Sequence, residues 1–216
     1  MIALALAGVA LSIAAIALVI AIEWLKRPRL EIVARHWQAT LPVPWTFAAI
    51  EVRNRTMIAM LRWLLVRQAA QGCEVTVEFR TPGQPAIVVG PVIARWSAHP
   101  EPIRSVPVVD AKTGNIAFVS HYEQTMVPQT VRMDVPAGET GQEVGFAILR
   151  ADGTAHAFGA ESYGHADWKN NAWALNPQMY EVTVRVRGSG VSSTRRFSLN
   201  NLAPPNFAAF SALTEM

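Results

Sequence analysis

Two patterns of hydrophobic and polar positions divide this chain. Residues 2–22 carry no charge and comprise eleven Leu, Ile or Val, eight Ala, one Gly and one Ser. At ~1.5 Å per helical residue, a run of this length spans ~30 Å, about one hydrocarbon core. From Leu30 onward the pattern changes to a period of two. In Tyr180–Arg187, Tyr180, Val182, Val184 and Val186 share one face, and Glu181, Thr183, Arg185 and Arg187 share the other. Such alternation is the mark of a half-buried strand. Gly188-Ser189-Gly190 then predicts a hairpin turn, with Phe197 and Leu199 facing inward on the returning strand.

The same alternation recurs at Cys73–Phe79, at Val131–Val135 and at Val144–Ile148. Residues 30–37, 47–53 and 87–96 read as further strands, the last as one strand. Asp152-Gly153 reads as a turn. Pro and Gly punctuate these runs, so the chain predicts an antiparallel β-sandwich behind one N-terminal helix. The expected organisation is an anchor at 1–25, a short basic tether at 26–29, a sandwich domain at 30–201 and a tail at 202–216.

One segment departs from period two. Residues 56–70 lack Gly and Pro, open on Thr56 as a candidate N-cap and close before Gly72. Ile58, Leu61, Leu65 and Ala69 would form one apolar stripe. This predicts a short amphipathic helix, packed on the sandwich or lying in the membrane interface with Trp63 at headgroup level.

Charge sets the direction of the anchor. Lys26, Arg27 and Arg29 follow the span, and only the amino terminus precedes it. The positive-inside rule places the domain in the cytoplasm, with Trp24 in the interfacial belt. The run lacks a basic leader and exceeds the length of a signal-peptide core, so an uncleaved anchor in the cell membrane is expected. Small residues four apart, such as Gly8 and Ser12, would allow helix pairing and a homo-oligomer. The net charge of +3 arises from 19 basic and 16 acidic residues. Without the three membrane-flanking cations the balance is neutral, and no nucleic-acid-binding motif is present. A single cysteine, Cys73, excludes an intramolecular disulfide and fits a reducing compartment.

Leu175-Asn176-Pro177-Gln178-Met179-Tyr180, followed by alternating valines, resembles the start of strand F in immunoglobulin-like and fibronectin-like domains. The resemblance implies that Tyr180 closes a tyrosine corner onto upstream backbone. Val182 stands where antibody-type domains carry cysteine. Together with Arg27-Pro28-Arg29-Leu30-Glu31-Ile32 and the Arg95–Pro102 stretch, the layout is similar to bacterial single-pass proteins without an assigned activity. It implies no chemistry.

Candidate chemistry is sparse. His156, Glu161 and His165 are metal-ligand types within ten residues, but their spacing matches no established signature. A membrane-tethered metal-dependent hydrolase is the enzymatic alternative they offer. Gly-x-Ser-x-Gly is absent, and Cys73 falls on the apolar face of its strand. Trp168 and Trp173 flank Lys169-Asn170-Asn171 and would form an aromatic recognition patch if exposed. Asn54-Arg55-Thr56 matches a glycosylation sequon. The leading expectation is a non-enzymatic binding or scaffolding module without a cofactor. Its partners would be the lipid bilayer and a protein met at the membrane. An accessory subunit of a larger membrane complex is a further alternative.

Overall fold

A computed structural model describes residues 2–38, 45–110, 112–138, 140–150, 152–201 and 213–215. The expected tail therefore lies mostly outside the described residues. The apolar run forms helix α1, Ile2–Lys26. From Gly8 to Lys26 it is long and apolar enough to cross a membrane, and none of its residues is buried in the rest of the chain. Pro28 cannot donate a helical amide, and strand β1, Leu30–Gln38, starts two residues beyond it. The chain then turns back as β2, Thr46–Asn54, antiparallel to β1.

The next strands are β3 (Ala70–Arg80), β4 (Ile87–Ile93) and β5 (Arg95–Trp96). A hairpin of β6 (Ile103–Val109) and β7 (Ile116–Tyr122) follows. A short helix α2 (Val127–Val131) leads into β8 (Arg132–Val135) and β9 (Gln142–Leu149). The series closes with β10 (Ala155–Ala157), β11 (Ala174–Leu175), β12 (Met179–Gly188), β13 (Val191–Asn200) and β14 (Leu213–Glu215).

These strands build two antiparallel six-stranded sheets. The first runs β1-β2-β9-β10-β11, with β5 beside β9. The second runs β14-β13-β12-β3-β4, with β8 beside β3. Their facing sides share one core, in which Ile50, Val52, Val144 and Phe146 of the first sheet join Val77, Phe79, Tyr180, Val184 and Phe197 of the second. The period-two pattern is thus spent on a sheet-on-sheet interface, as in a sandwich. Gly190 holds the left-handed position of the β12–β13 turn at φ +69°, where a side chain would be strained.

Three expectations need correction. Residues 87–96 are two strands: the chain leaves the second sheet after Ile93, and Arg95 pairs with Gly145 in the first. The fully buried Trp96 holds that crossing, donating Nε1–H to the carbonyls of Cys73 and Val131, each at 3.0 Å. Val131 ends helix α2 and does not begin a strand. The helix expected over 56–70 is only the 3₁₀ turn Ala59–Leu61. Both ends of this segment are tied elsewhere, the near end by the Arg55 amide, which donates to Arg29 O at 2.9 Å. The Gln68 amide donates to Lys26 O at 2.8 Å, and the Gln68 carbonyl accepts from Asn54 at 2.8 Å. Backbone groups spent this way cannot serve a helix, and a lone helix of this length is marginal in water.

Asn54, at the end of β2, is fully buried. Its Oδ1 accepts from the Arg29 amide at 3.0 Å, and its Nδ2 donates to Gln68 O at 2.8 Å and Val135 O at 3.3 Å. The sequon asparagine is therefore enclosed and structural. Beside it, the buried Glu51 accepts from Arg35, from Arg53 at 2.6 Å and from the Gly141 amide at 3.0 Å. The Arg53 hydrogen bond, then that of Arg35, outweighs burial and holds its carboxyl at about 2, well below the usual 4.5.

Two predictions follow from these networks. Asn54→Ala removes its bonds to three backbone groups, of which Val135 O is buried, and should lower stability by about 2–4 kcal/mol, read from denaturant unfolding in detergent. Because the Glu51 carboxyl is depressed in the fold, its stabilisation is complete above the ordinary carboxylate range and fades as pH falls toward 2. Glu51→Gln should cost roughly 1–3 kcal/mol at neutral pH and flatten the acid limb of the stability profile.

Candidate binding surfaces

The expected metal ligands are not brought together. His156 lies buried in β10, while Glu161 and His165 are exposed in and after the 3₁₀ turn Ala160–Gly164. Among the described residues, no group of three His, Cys, Asp or Glu side chains is placed to hold a metal ion. Burial, followed by the nearby Arg150, lowers the His156 pKa below its ordinary value.

Nor do Trp168 and Trp173 form an exposed pair. Trp173 is half-buried against the main core. Trp168 turns inward to a second cluster with Trp45, Phe47, Phe158 and Tyr163, its ring centroid 4.8 Å from that of Trp45 and 5.3 Å from that of Tyr163. Asp167 and Trp168 both adopt left-handed backbone, at φ 52° and 60°. Non-glycine residues are strained there, so ring packing must hold the turn in place. The cluster covers the outer face of β2 around Phe47, so it seals the sandwich and offers no recognition patch.

Tyr180 is fully buried, and its hydroxyl donates to Asn176 O at 3.1 Å. The buried Asn201 caps the same turn, donating to Leu175 O at 3.0 Å and Asn176 O at 2.9 Å. At the other end of the sandwich, Arg29 lies over the Trp24 ring at 4.9 Å, and Lys26 pairs with Glu23 at 3.2 Å. The Arg27 carbonyl accepts from Arg67 Nη1 at 2.6 Å. The membrane-flanking set is thus fastened to the domain.

The β6–β7 hairpin was not anticipated from the sequence. Its pairing sets Pro107 opposite Phe118 and Val109 opposite Ile116 on one face, and Val106 opposite Val119 and Val108 opposite Ala117 on the other. Opposed residues share a face, so the outer half of the hairpin is apolar on both sides. Val106, Val108, Val109, Ile116, Phe118 and Val119 are all exposed, Phe118 by 72%. The base is polar and tied down: Ser105 and Ser120 hydroxyls lie 2.8 Å apart, and Glu123 N donates to Pro102 O at 3.0 Å. The tip is ordered by Asp110, which accepts from Lys112 N at 2.8 Å and Thr113 Oγ1 at 2.9 Å. Those bonds, the Lys112 amide first, lower its carboxyl pKa. A hairpin of seven-residue strands reaches ~23 Å, and a two-stranded ribbon is marginal alone in water. Thr113-Gly114-Asn115 between two valine- and isoleucine-rich runs was its available sequence signal. Pro107 masked it, because proline argues against strand.

No protein-family model, curated protein or solved structure matches the chain.

Cys73 is buried beneath Gly188, and burial pushes its thiol up to about 11. In the folded protein at pH 8 it should resist maleimide, whereas denaturation should expose about one reactive thiol per chain, as mass spectrometry of the adduct would show.

Proposed function

We propose that this chain is a single-pass membrane protein whose immunoglobulin-like sandwich presents the β6–β7 hairpin to a protein partner at the membrane surface. The exposed hairpin carries this reading. Both faces of its outer half are apolar, its ends are ordered by polar bonds, and none of the described residues covers it. Soluble surfaces seldom expose contiguous apolar area of this kind unless it is used for contact. An extended ribbon with two free edges also suits recognition by strand addition.

The strand order supports the fold assignment. If β1, β2, β9 and β5 take the positions A, B, E and D, then β13, β12, β3 and β4 take G, F, C and C′. These are the two sheets of an immunoglobulin-like sandwich, and the Tyr180 hydroxyl bond has the form of a tyrosine corner. In this reading the hairpin is an insertion between D and E. The basic flank at Lys26, Arg27 and Arg29 favours a cytoplasmic domain. The metal-dependent alternative loses its footing because its three ligands do not converge.

A photo-crosslinking side chain at position 118 or 109, introduced into the full chain in its native membranes, should give a discrete higher-mass adduct. The same group at Gln84, in the β3–β4 turn, should give none. With the crosslinking group at position 116 instead, Phe118→Ser with Val109→Ser should abolish the adduct while leaving the unfolding transition within about 0.5 kcal/mol, since both side chains are exposed. If neither 118 nor 109 crosslinks above the level at 84, the hairpin is not a docking element.

A further inference from the structure

Among the described residues, most of the segment between β2 and β3 is left uncovered, and its place is fixed. Ile58, Met60, Trp63, Leu64 and Val66 are exposed, Met60 by 78% and Trp63 by 79%. Only Met57 and Arg67 of this stretch are buried. Its far end is bonded to the anchor's own exit: Gln68 N to Lys26 O at 2.8 Å, and Arg67 Nη1 to Arg27 O at 2.6 Å. At ~3.4 Å per residue, Val66 lies within ~7 Å of chain from Gln68 and Met60 within ~28 Å. Val66 therefore sits close to the end of the helix, and Met60 no farther from it than that length of chain allows.

The composition has a sign as well as a polarity. From residue 52 to 73 there is no Asp or Glu, while Arg53, Arg55, Arg62 and Arg67 lie within or beside the loop. Arg53 and Arg55 are paired with Glu51 and Glu31 and Arg67 is spent on the tether, so the loop's own character is large apolar side chains, a tryptophan and the exposed Arg62, as in peripheral elements that enter the headgroup region. A shallow cavity of about 130 Å³ lies under the loop, lined by Met57, Leu65, Val66, Arg62 and Arg67. The apolar sequence that would otherwise form a helix is thus held as a single turn with its side chains turned outward.

We infer that residues 58–66 are a second membrane contact, a loop that enters the phospholipid interface beside the anchor and holds the sandwich in one orientation. This rests on the reading of α1 as a membrane span. The occupant is the bilayer, because the loop is hydrogen-bonded to the residues that emerge from it. A flexible tether would let the domain tumble. Here the tether's carbonyls are held by the loop, so anchor, loop and sandwich move together.

The test uses the full chain in vesicles of pure phospholipid. Trp63→Cys and, as a second variant, Met60→Cys carry an environment-sensitive fluorophore; buried Cys73 stays unlabelled. Gln84→Cys is the control, in the β3–β4 turn beyond the end of β3, which lies about 35 Å from its start by strand rise. Labels at 63 and 60 should be quenched by nitroxide lipids at least about three-fold more than the label at 84, and should be shielded from aqueous iodide. Vesicle flotation separates the failures. If the chain floats with the vesicles but both labels quench like Gln84→Cys, the loop is no membrane contact and the span reading survives. If shielding arises only on adding solubilised membrane proteins, the occupant is a protein and the inference is overturned. If the chain does not float, the span reading falls and the inference falls with it.

Discussion

The structure depends on one enclosed side chain, Asn54. It joins segments that lie 25, 14 and 81 residues away along the chain: the tether at Arg29, the loop at Gln68 and the strand β8 at Val135. An amide can do this because it accepts on one atom and donates twice on the other. The Asn54 side chain is itself fully buried, so its three hydrogen bonds depend on partners within the chain. Through Asn54, the end of an apolar helix, the β2–β3 loop and the edge of the second sheet have one mutual arrangement.

That clamp separates the two ends of the molecule by task. At the anchored end, polar backbone groups of the tether are satisfied by Arg67, Gln68, Asn54 and Arg55, which leaves the apolar side chains of the loop to face outward. At the opposite end, around Trp45 and Trp168, the apolar rings turn inward and even accept left-handed backbone to do so. The same residue type, tryptophan, thus serves opposite purposes. Trp63 is exposed beside the helix, Trp96 is fully enclosed between the sheets, and Trp168 seals the outer face of β2. Neighbouring backbone decides which.

The hairpin differs again. Among the described residues its strands pair only with each other, and its apolar middle is held between a polar base and an ordered tip. A marginal ribbon kept in shape at both ends is suited to being completed by another surface. In the proposed reading, membrane contact and partner contact fall to separate segments, the β2–β3 loop and the β6–β7 hairpin, with the sandwich between them.

Legible in the sequence alone were the anchor helix, expected at 1–25 and found at Ile2–Lys26, the start of β1 at Leu30, and the alternating strands β3, β9, β12 and β13. Each of these is set by a local period, and a period survives whatever the chain packs against. It also marked Tyr180 and the inert Cys73, because their positions on inward faces follow from the same alternation. Only the tertiary structure decided the rest. Residues 56–70 have helical propensity, yet bonds to Lys26 and Asn54 took the backbone groups a helix would need. The run 87–96 looks continuous, yet Trp96 draws its end into the other sheet. His156, Glu161 and His165 are close in sequence, yet a strand and a 3₁₀ turn send them apart. Local pattern reports which face of an element is apolar; which neighbour covers that face, or whether any does, is set by contacts between residues far apart in the chain.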